Sequence, residues 1–161
     1  MTIFIDTNVM VDLLLRRKPF VDDAMRIFYL AEVKRITAVV SPLSFATTSY
    51  LLERYAKCDP AKILREFQSL VSIASIDEEL TRKSIAPTSP ISDPEDAMQY
   101  YSACHAGFEC IVTRNQMDFR PSSLPVYSPP RIPRVLRLAP SVQHIKKAHR
   151  SLRTMGFPIS S

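Results

Sequence analysis

Short continuous apolar runs alternate along the chain with longer stretches in which apolar residues recur every three or four positions. Ile3-Phe4-Ile5 is such a run, suited to a strand buried on both faces, and Val9 to Leu15 then takes up helical spacing. Val21, Ala24, Met25, Ile27, Phe28, Ala31 and Val33 mark one broad face of a second helix. Asp22-Asp23 fall in its first turn and Lys34-Arg35 at its end, as the helix dipole favours. The β-branched segment Ile36 to Val40 predicts the second strand. Ser41-Pro42 supplies an N-cap and a proline at the first helical position for a helix to about Lys57. Asp59-Pro60 repeats that logic for a helix to about Leu70, Val71 to Ile76 predicts a third strand, and Asp77-Glu78-Glu79 opens another helix.

A turn-rich connector from Pro87 to Pro94 leads into a helix begun by Asp93-Pro94-Glu95-Asp96, and Gly107 stops it. Cys110 to Thr113 predicts the fourth strand, Arg114 to Arg120 a polar loop, and Val126-Tyr127 a short fifth strand. Strands alternating with helices in this order predict an α/β fold: three layers, α/β/α, around a central parallel sheet of four to five strands.

Composition narrows the function classes. A chain of 161 residues can bury roughly two-thirds of its unfolded surface in one domain. No apolar run approaches the ~20 residues that span a bilayer, and no secretory signal is visible after Met1, so the expected compartment is the cytoplasm. Cys58, Cys104 and Cys110 cannot all pair and lack zinc-site spacing, which leaves them as small apolar residues. With only two glycines, no phosphate-cradling loop can be drawn, which counts against a P-loop or dinucleotide site.

The net charge of +5 is unevenly spread. Residues 1–130 carry −2, whereas residues 131–161 carry +7 and no acid. The division predicts a domain over 1–130 and a basic C-terminal extension over 131–161, either a solvated tail or a contact to phosphates or a partner through a helix at Ser141 to Met155. The sudden loss of acids at Pro129-Pro130 is also what a shift of reading frame in the gene would produce.

The candidate chemistry lies in acids at the ends of the predicted elements. Asp6 closes the first strand, Asp93 and Asp96 open a helix, and Asp118 follows the fourth strand. In open α/β sheets that rim is where ligands collect, and converging carboxylates repel one another unless a cation such as Mg²⁺ or Mn²⁺ lies between them. A divalent ion there acidifies water and stabilises a leaving oxygen, which points to phosphodiester hydrolysis. Local alternatives remain open for each residue, and Asp6 is the strongest candidate because its position after three apolar residues is costly without a ligand. Asn8 either caps the following helix or orients Asp6, Asp93 reads first as a helix cap, Asp96 as cap or ligand, and Asp118 as ligand or a loop acid bonded to its own backbone. A haloacid-dehalogenase-type phosphatase would need an acid two residues after the first, where Asn8 stands.

Ile5-Asp6-Thr7-Asn8-Val9, Asp93-Pro94-Glu95-Asp96-Ala97, and Val112-Thr113-Arg114-Asn115 with Asp118-Phe119 resemble, in order and spacing, the PIN-domain nucleases, especially the small bacterial VapC-like toxins. The resemblance implies Asp6, Asp96 and Asp118 as catalytic metal ligands for Mg²⁺ or Mn²⁺, Thr113 and Asn115 as supports, and Asp93 and Glu95 as nearby contributors. It also implies cleavage of single-stranded RNA, an antitoxin partner and a homodimer. One departure matters: the family often has a Glu in the helix after the second strand, and here Thr47 stands near that position while Glu53 lies too far along to substitute. The alternative is therefore a catalytically weak or inactive PIN-like protein that binds RNA or is sequestered by an antitoxin.

Overall fold

The computed structural model describes residues 1–132 except residue 57, together with residue 150. Three uninterrupted apolar runs become the strands at the centre of the sheet: β1 (Thr2–Ile5), β2 (Thr37–Val40) and β4 (Cys110–Val112), with β3 (Ser72–Ile73) and β5 (Val126–Tyr127) at the edges. The order is β3-β2-β1-β4-β5 and every pairing is parallel, with Phe4 of β1 opposite Val39 of β2 and Ile111 of β4.

Period-two alternation along these strands divides the core between the two faces of the sheet. Ile3, Ile5, Ala38, Val40, Cys110 and Val112 face one way, where they pack under α1 (Thr7–Leu14), α2 (Val21–Glu32) and, through Ile63 and Phe67, α4 (Pro60–Gln68). Phe4, Val39 and Ile111 face the other way, against Ala97, Tyr100 and Ala103 of α6 (Pro94–His105). α5 (Glu78–Ser84) packs on α6, and α3 (Pro42–Leu51) on α1. The predicted three-layer α/β/α arrangement is thus present. Ile132 is fully buried in the first core, so the packed region runs slightly past residue 130. The rest of the basic extension, including Ser141 to Met155, lies outside the described residues apart from Arg150.

Two elements differ from the sequence expectation. The helix from Pro42 leaves α-geometry at Leu52–Ala56, which form a π-helical turn, and apolar spacing carries no mark of a change from i→i−4 to i→i−5 bonding. β3 keeps only two of the six residues expected. Ser72 and Ile73 are exposed at the sheet edge, Ala74 N still bonds the Val40 carbonyl at 2.9 Å, and the Ser75 carbonyl then accepts from Ser102 Oγ of α6 at 2.8 Å.

The order of strands reverses direction between β1 and β4. β1 leads outward to β2 and β3 on one side and β4 leads to β5 on the other, so the crevice beyond the carboxyl ends of β1 and β4 is the switch point at which open α/β sheets bind ligands.

Candidate active site

Asp6 emerges from β1 into this crevice. Its N–H donates to the Val112 carbonyl at 3.0 Å, continuing the β1–β4 ladder, and its extended backbone (φ −65°, ψ 149°) opens α1 without a side-chain cap. The carboxylate is used elsewhere. Thr113 Oγ1 donates to Asp6 Oδ2 at 2.6 Å, and Asn8 Nδ2 donates to the same oxygen. Asp6 is 3% exposed, and burial pushes its carboxyl above the ordinary 3.8 against the opposing pull of bonds from Thr113, Gln99 and the backbone of Asn8 and Thr7.

Asn8 therefore does not cap α1. Its Nδ2 also donates to Thr113 Oγ1 at 3.0 Å, and its Oδ1 accepts from Arg114 N at 3.2 Å, so it ties α1 to the segment after β4. The Thr113 hydroxyl further accepts from Asn115 N at 2.9 Å. One donor and two acceptor positions are thereby all engaged.

The opposite wall is the start of α6. Asp93 is its N-cap: Oδ1 accepts from Glu95 N at 2.9 Å and Asp96 N at 3.1 Å, the role its position before a proline suggested. The cap leaves the Asp96 side chain free to face the crevice. Burial, reinforced by the charges of Asp6, Asp93, Asp118 and Glu95, pushes its carboxyl up to about 7. Glu95 Oε1 accepts from Thr47 Oγ1 at 3.4 Å and from Thr7 Oγ1 at 3.3 Å. Thr47 of α3 is thus in hydrogen-bond contact with a carboxylate that α6 carries.

Together these residues line a cleft of about 280 Å³ that contains Asp6, Asn8, Thr47, Asp93, Glu95, Asp96 and Asn115. Thr113 lies beneath it, fully buried. Asp118 is not among the lining residues; it is exposed on the turn after Asn115, to whose carbonyl its N–H donates at 3.1 Å, and it acts on Asp96 through its charge. Among the described residues, no three His, Cys, Asp or Glu side chains form a ready-made metal-holding group.

Three further contributors escaped the sequence reading. Gln99, 1% exposed and one turn beyond Asp96 on α6, accepts from Thr7 N at 3.3 Å and also bonds to Asp6. Spacing of three from Asp96 was the available signal. Ser44 Oγ lies 2.9 Å from Thr7 Oγ1, a contact without any sequence signature. Asp12 is 1% exposed inside α1 and pairs with Arg114 Nε at 2.7 Å; an acid within so apolar a helix was itself a signal.

An all-parallel sheet whose switch point carries a carboxylate-lined cleft defines an α/β protein with its candidate ligand site at that rim. Comparison of sequences makes this specific: the PIN domain family model matches residues 2–117, and the chain belongs to the PIN domain family. Among solved structures, the chain is similar to a chain in the crystal structure of VapBC2 from Rickettsia felis bound to a DNA fragment from their promoter. The TM-score is 0.59 at 18% identity, covering 80% of this chain and 98% of that one. That likeness is one of fold. No curated protein matches the sequence.

Proposed function

We propose that the protein is a metal-dependent endoribonuclease that cleaves single-stranded RNA and serves as the toxin of a toxin–antitoxin pair. The observation that carries this reading is the meeting of Asp6, from the end of β1, with Asp96, from the start of α6, across one cleft at the switch point of a PIN-domain sheet. PIN domains are generally nucleases. The donor set suits a hard cation: Mg²⁺ keeps several waters and takes one or two carboxylates plus substrate phosphates, so a ready-made cage of three acids is not required.

Asp6 and Asp96 would hold Mg²⁺ or Mn²⁺, with Asp118 joining from the rim and Asn115 beside it. A bound divalent ion would supply charge compensation, a more acidic water and stabilisation of the leaving oxygen. The chain's own residues do the positioning. Thr113 and Asn8 fix the direction of the Asp6 carboxylate, Asp93 fixes the first turn of α6 and with it Asp96, and Glu95, braced by Thr47 and Thr7, provides the negative charge that α3 lacks. An Asp6 carboxylate hydrogen-bonded this firmly loses little on reorganisation during reaction.

The likeness to a VapBC2 chain supports a protein antitoxin as partner, and a homodimer in the cytoplasm accords with the toxin reading. Among the described residues, no helix is long and apolar enough to cross a membrane. The second reading, a PIN-like protein that binds RNA with little or no cleavage, draws on Asp118 lying outside the cleft lining and on Thr47. A Mn²⁺-dependent cleavage assay on single-stranded RNA, comparing the wild type with Asp6→Asn, separates them. The nuclease reading expects cleavage by the wild type and loss in the variant; equal cleavage by both removes the proposed centre, and binding without cleavage favours the second reading.

A further inference from the structure

Asp6, Asp93, Glu95 and Asp96 make the cleft strongly acidic, yet its proposed substrate is a polyanion. One cation stands among the described residues that line it, Arg17, on the segment between α1 and α2. Among the described residues Arg17 makes no ion pair with these acids or any other. An arginine placed to balance the acids would be expected to bond one of them, since fork-to-carboxylate pairing is the preferred geometry of guanidinium.

We propose that Arg17 docks a backbone phosphate of single-stranded RNA at the mouth of the cleft, beside a wall formed by Arg114 stacked on Phe20. The inference rests on the nuclease reading and assigns a substrate contact to it. Arg17 is exposed, but its backbone is held: N–H donates to the Asp12 carbonyl at 3.0 Å, and its carbonyl accepts from Phe20 N and Val21 N, each at 2.9 Å. The side chain therefore springs from a fixed point on the rim of the cleft.

The wall beside it is equally defined. The guanidinium carbon of Arg114 sits 4.1 Å over the Phe20 ring, and its Nε is 2.7 Å from the buried Asp12 carboxylate. Arg114 N in turn bonds Asn8 Oδ1, two bonds removed from Asp6. Arg114 is thereby occupied by Asp12 and Phe20, and among the described residues that line the cleft Arg17, whose charge also acts on Asp12, is the cation left to meet an incoming anion. The phosphate chemistry asks for this arrangement: a strand crossing an acidic cleft needs a positive contact outside the acid set, and guanidinium matches phosphate with two parallel hydrogen bonds.

The test is binding of a short single-stranded oligoribonucleotide, followed by fluorescence anisotropy across a salt series with Ca²⁺ in place of Mn²⁺ to slow turnover. Thermal melting is measured in parallel. Arg17→Gln is expected to weaken binding roughly tenfold, the loss of one charge-assisted contact. It should also lower the slope of log K against log salt by about 0.7, the value for one phosphate on a single strand. Arg17→Lys, which keeps the charge, should retain the wild-type slope. Arg35→Gln, an exposed change before β2 at the other end of the sheet, should leave binding and slope unaltered. If Arg17 instead serves only to support Asp12, Arg17→Gln lowers the melting temperature while the slope stays at the wild-type value, and the proposal is overturned. A slope that falls in Arg17→Lys as far as in Arg17→Gln overturns it as well. Failure of the wild type to bind or to cleave RNA would instead count against the nuclease reading itself.

Discussion

Thr113→Val removes one hydroxyl and almost no volume, so its effect isolates the hydrogen bonds that hold Asp6. The hydroxyl donates to Asp6 Oδ2 at 2.6 Å and accepts from Asn8 Nδ2 at 3.0 Å and Asn115 N at 2.9 Å. A hydrogen bond to an ionised partner is worth about 1.5–3 kcal/mol. Asn8 retains its own bond to Asp6 and Asn115 is exposed, so the orphaned donors add little. The expected loss is therefore about 2–3 kcal/mol where Asp6 is ionised, a fall in melting temperature of roughly 10 °C for a domain of this size.

The pH dependence gives the sharper reading. Burial raises the Asp6 carboxyl above 3.8 in the folded protein, so its contribution to stability is fully present below 3.8 and is lost as pH rises through the folded value. The Thr113 bond opposes that rise, and removing it moves the folded value further up. The gap between variant and wild type should consequently widen as pH rises through the folded value of Asp6. At acid pH, with Asp6 protonated, only a neutral bond of about 0.5–1.5 kcal/mol is missing. Urea unfolding followed by far-ultraviolet circular dichroism in the presence of EDTA measures both gaps, with Thr113→Ser as the variant that restores the wild type. A gap that is the same at both pH values would refute the assignment of Thr113 as the group holding a charged Asp6.

Asp12, 1% exposed, has its carboxyl raised from 3.8 to about 6 by burial, which outweighs the lowering by Arg114 and Arg17. The wild type should lose stability relative to Asp12→Asn as pH rises from 3.8 through about 6, by up to about 3 kcal/mol; a difference that stays level across this range, read by urea unfolding, contradicts the burial argument. Asp93→Ala removes the acceptor of Glu95 N and Asp96 N and should cost about 1 kcal/mol. Because that cap also sets Asp96, Mn²⁺ affinity measured by calorimetry should fall with it, and an unchanged affinity would show that the cap does not position the acid.

The central sheet was legible because β1, β2 and β4 are buried on both faces and so read as unbroken apolar runs. β3 was overdrawn for the converse reason. Its two residues are exposed, and just beyond them the backbone turns to a side chain on a distant helix, Ser102. The acids were visible as charges at element ends, and Asp93 declared its role through the proline after it. Asn8 and Asp118 were ambiguous because short-range capping and long-range bonding call for the same residue types. Glu95 meeting Thr47 could not be read from either helix alone, since the contact depends on how α6 and α3 are brought together across the sheet. The same limit hid Ser44, whereas Asp12 and Gln99 were polar residues on otherwise buried helix faces and offered a signal that apolar periodicity alone passes over.

The proposed metal centre is tested most directly by titration of the metal-free protein with Mn²⁺, comparing the wild type with Asp6→Asn and Asp96→Asn. Saturable binding by the wild type, much weakened in each variant while both remain folded, is the predicted result. A wild type that binds no Mn²⁺, or variants that bind it as well as the wild type, would contradict the claim that these carboxylates, brought together at the β1–β4 switch point, are built around a divalent cation.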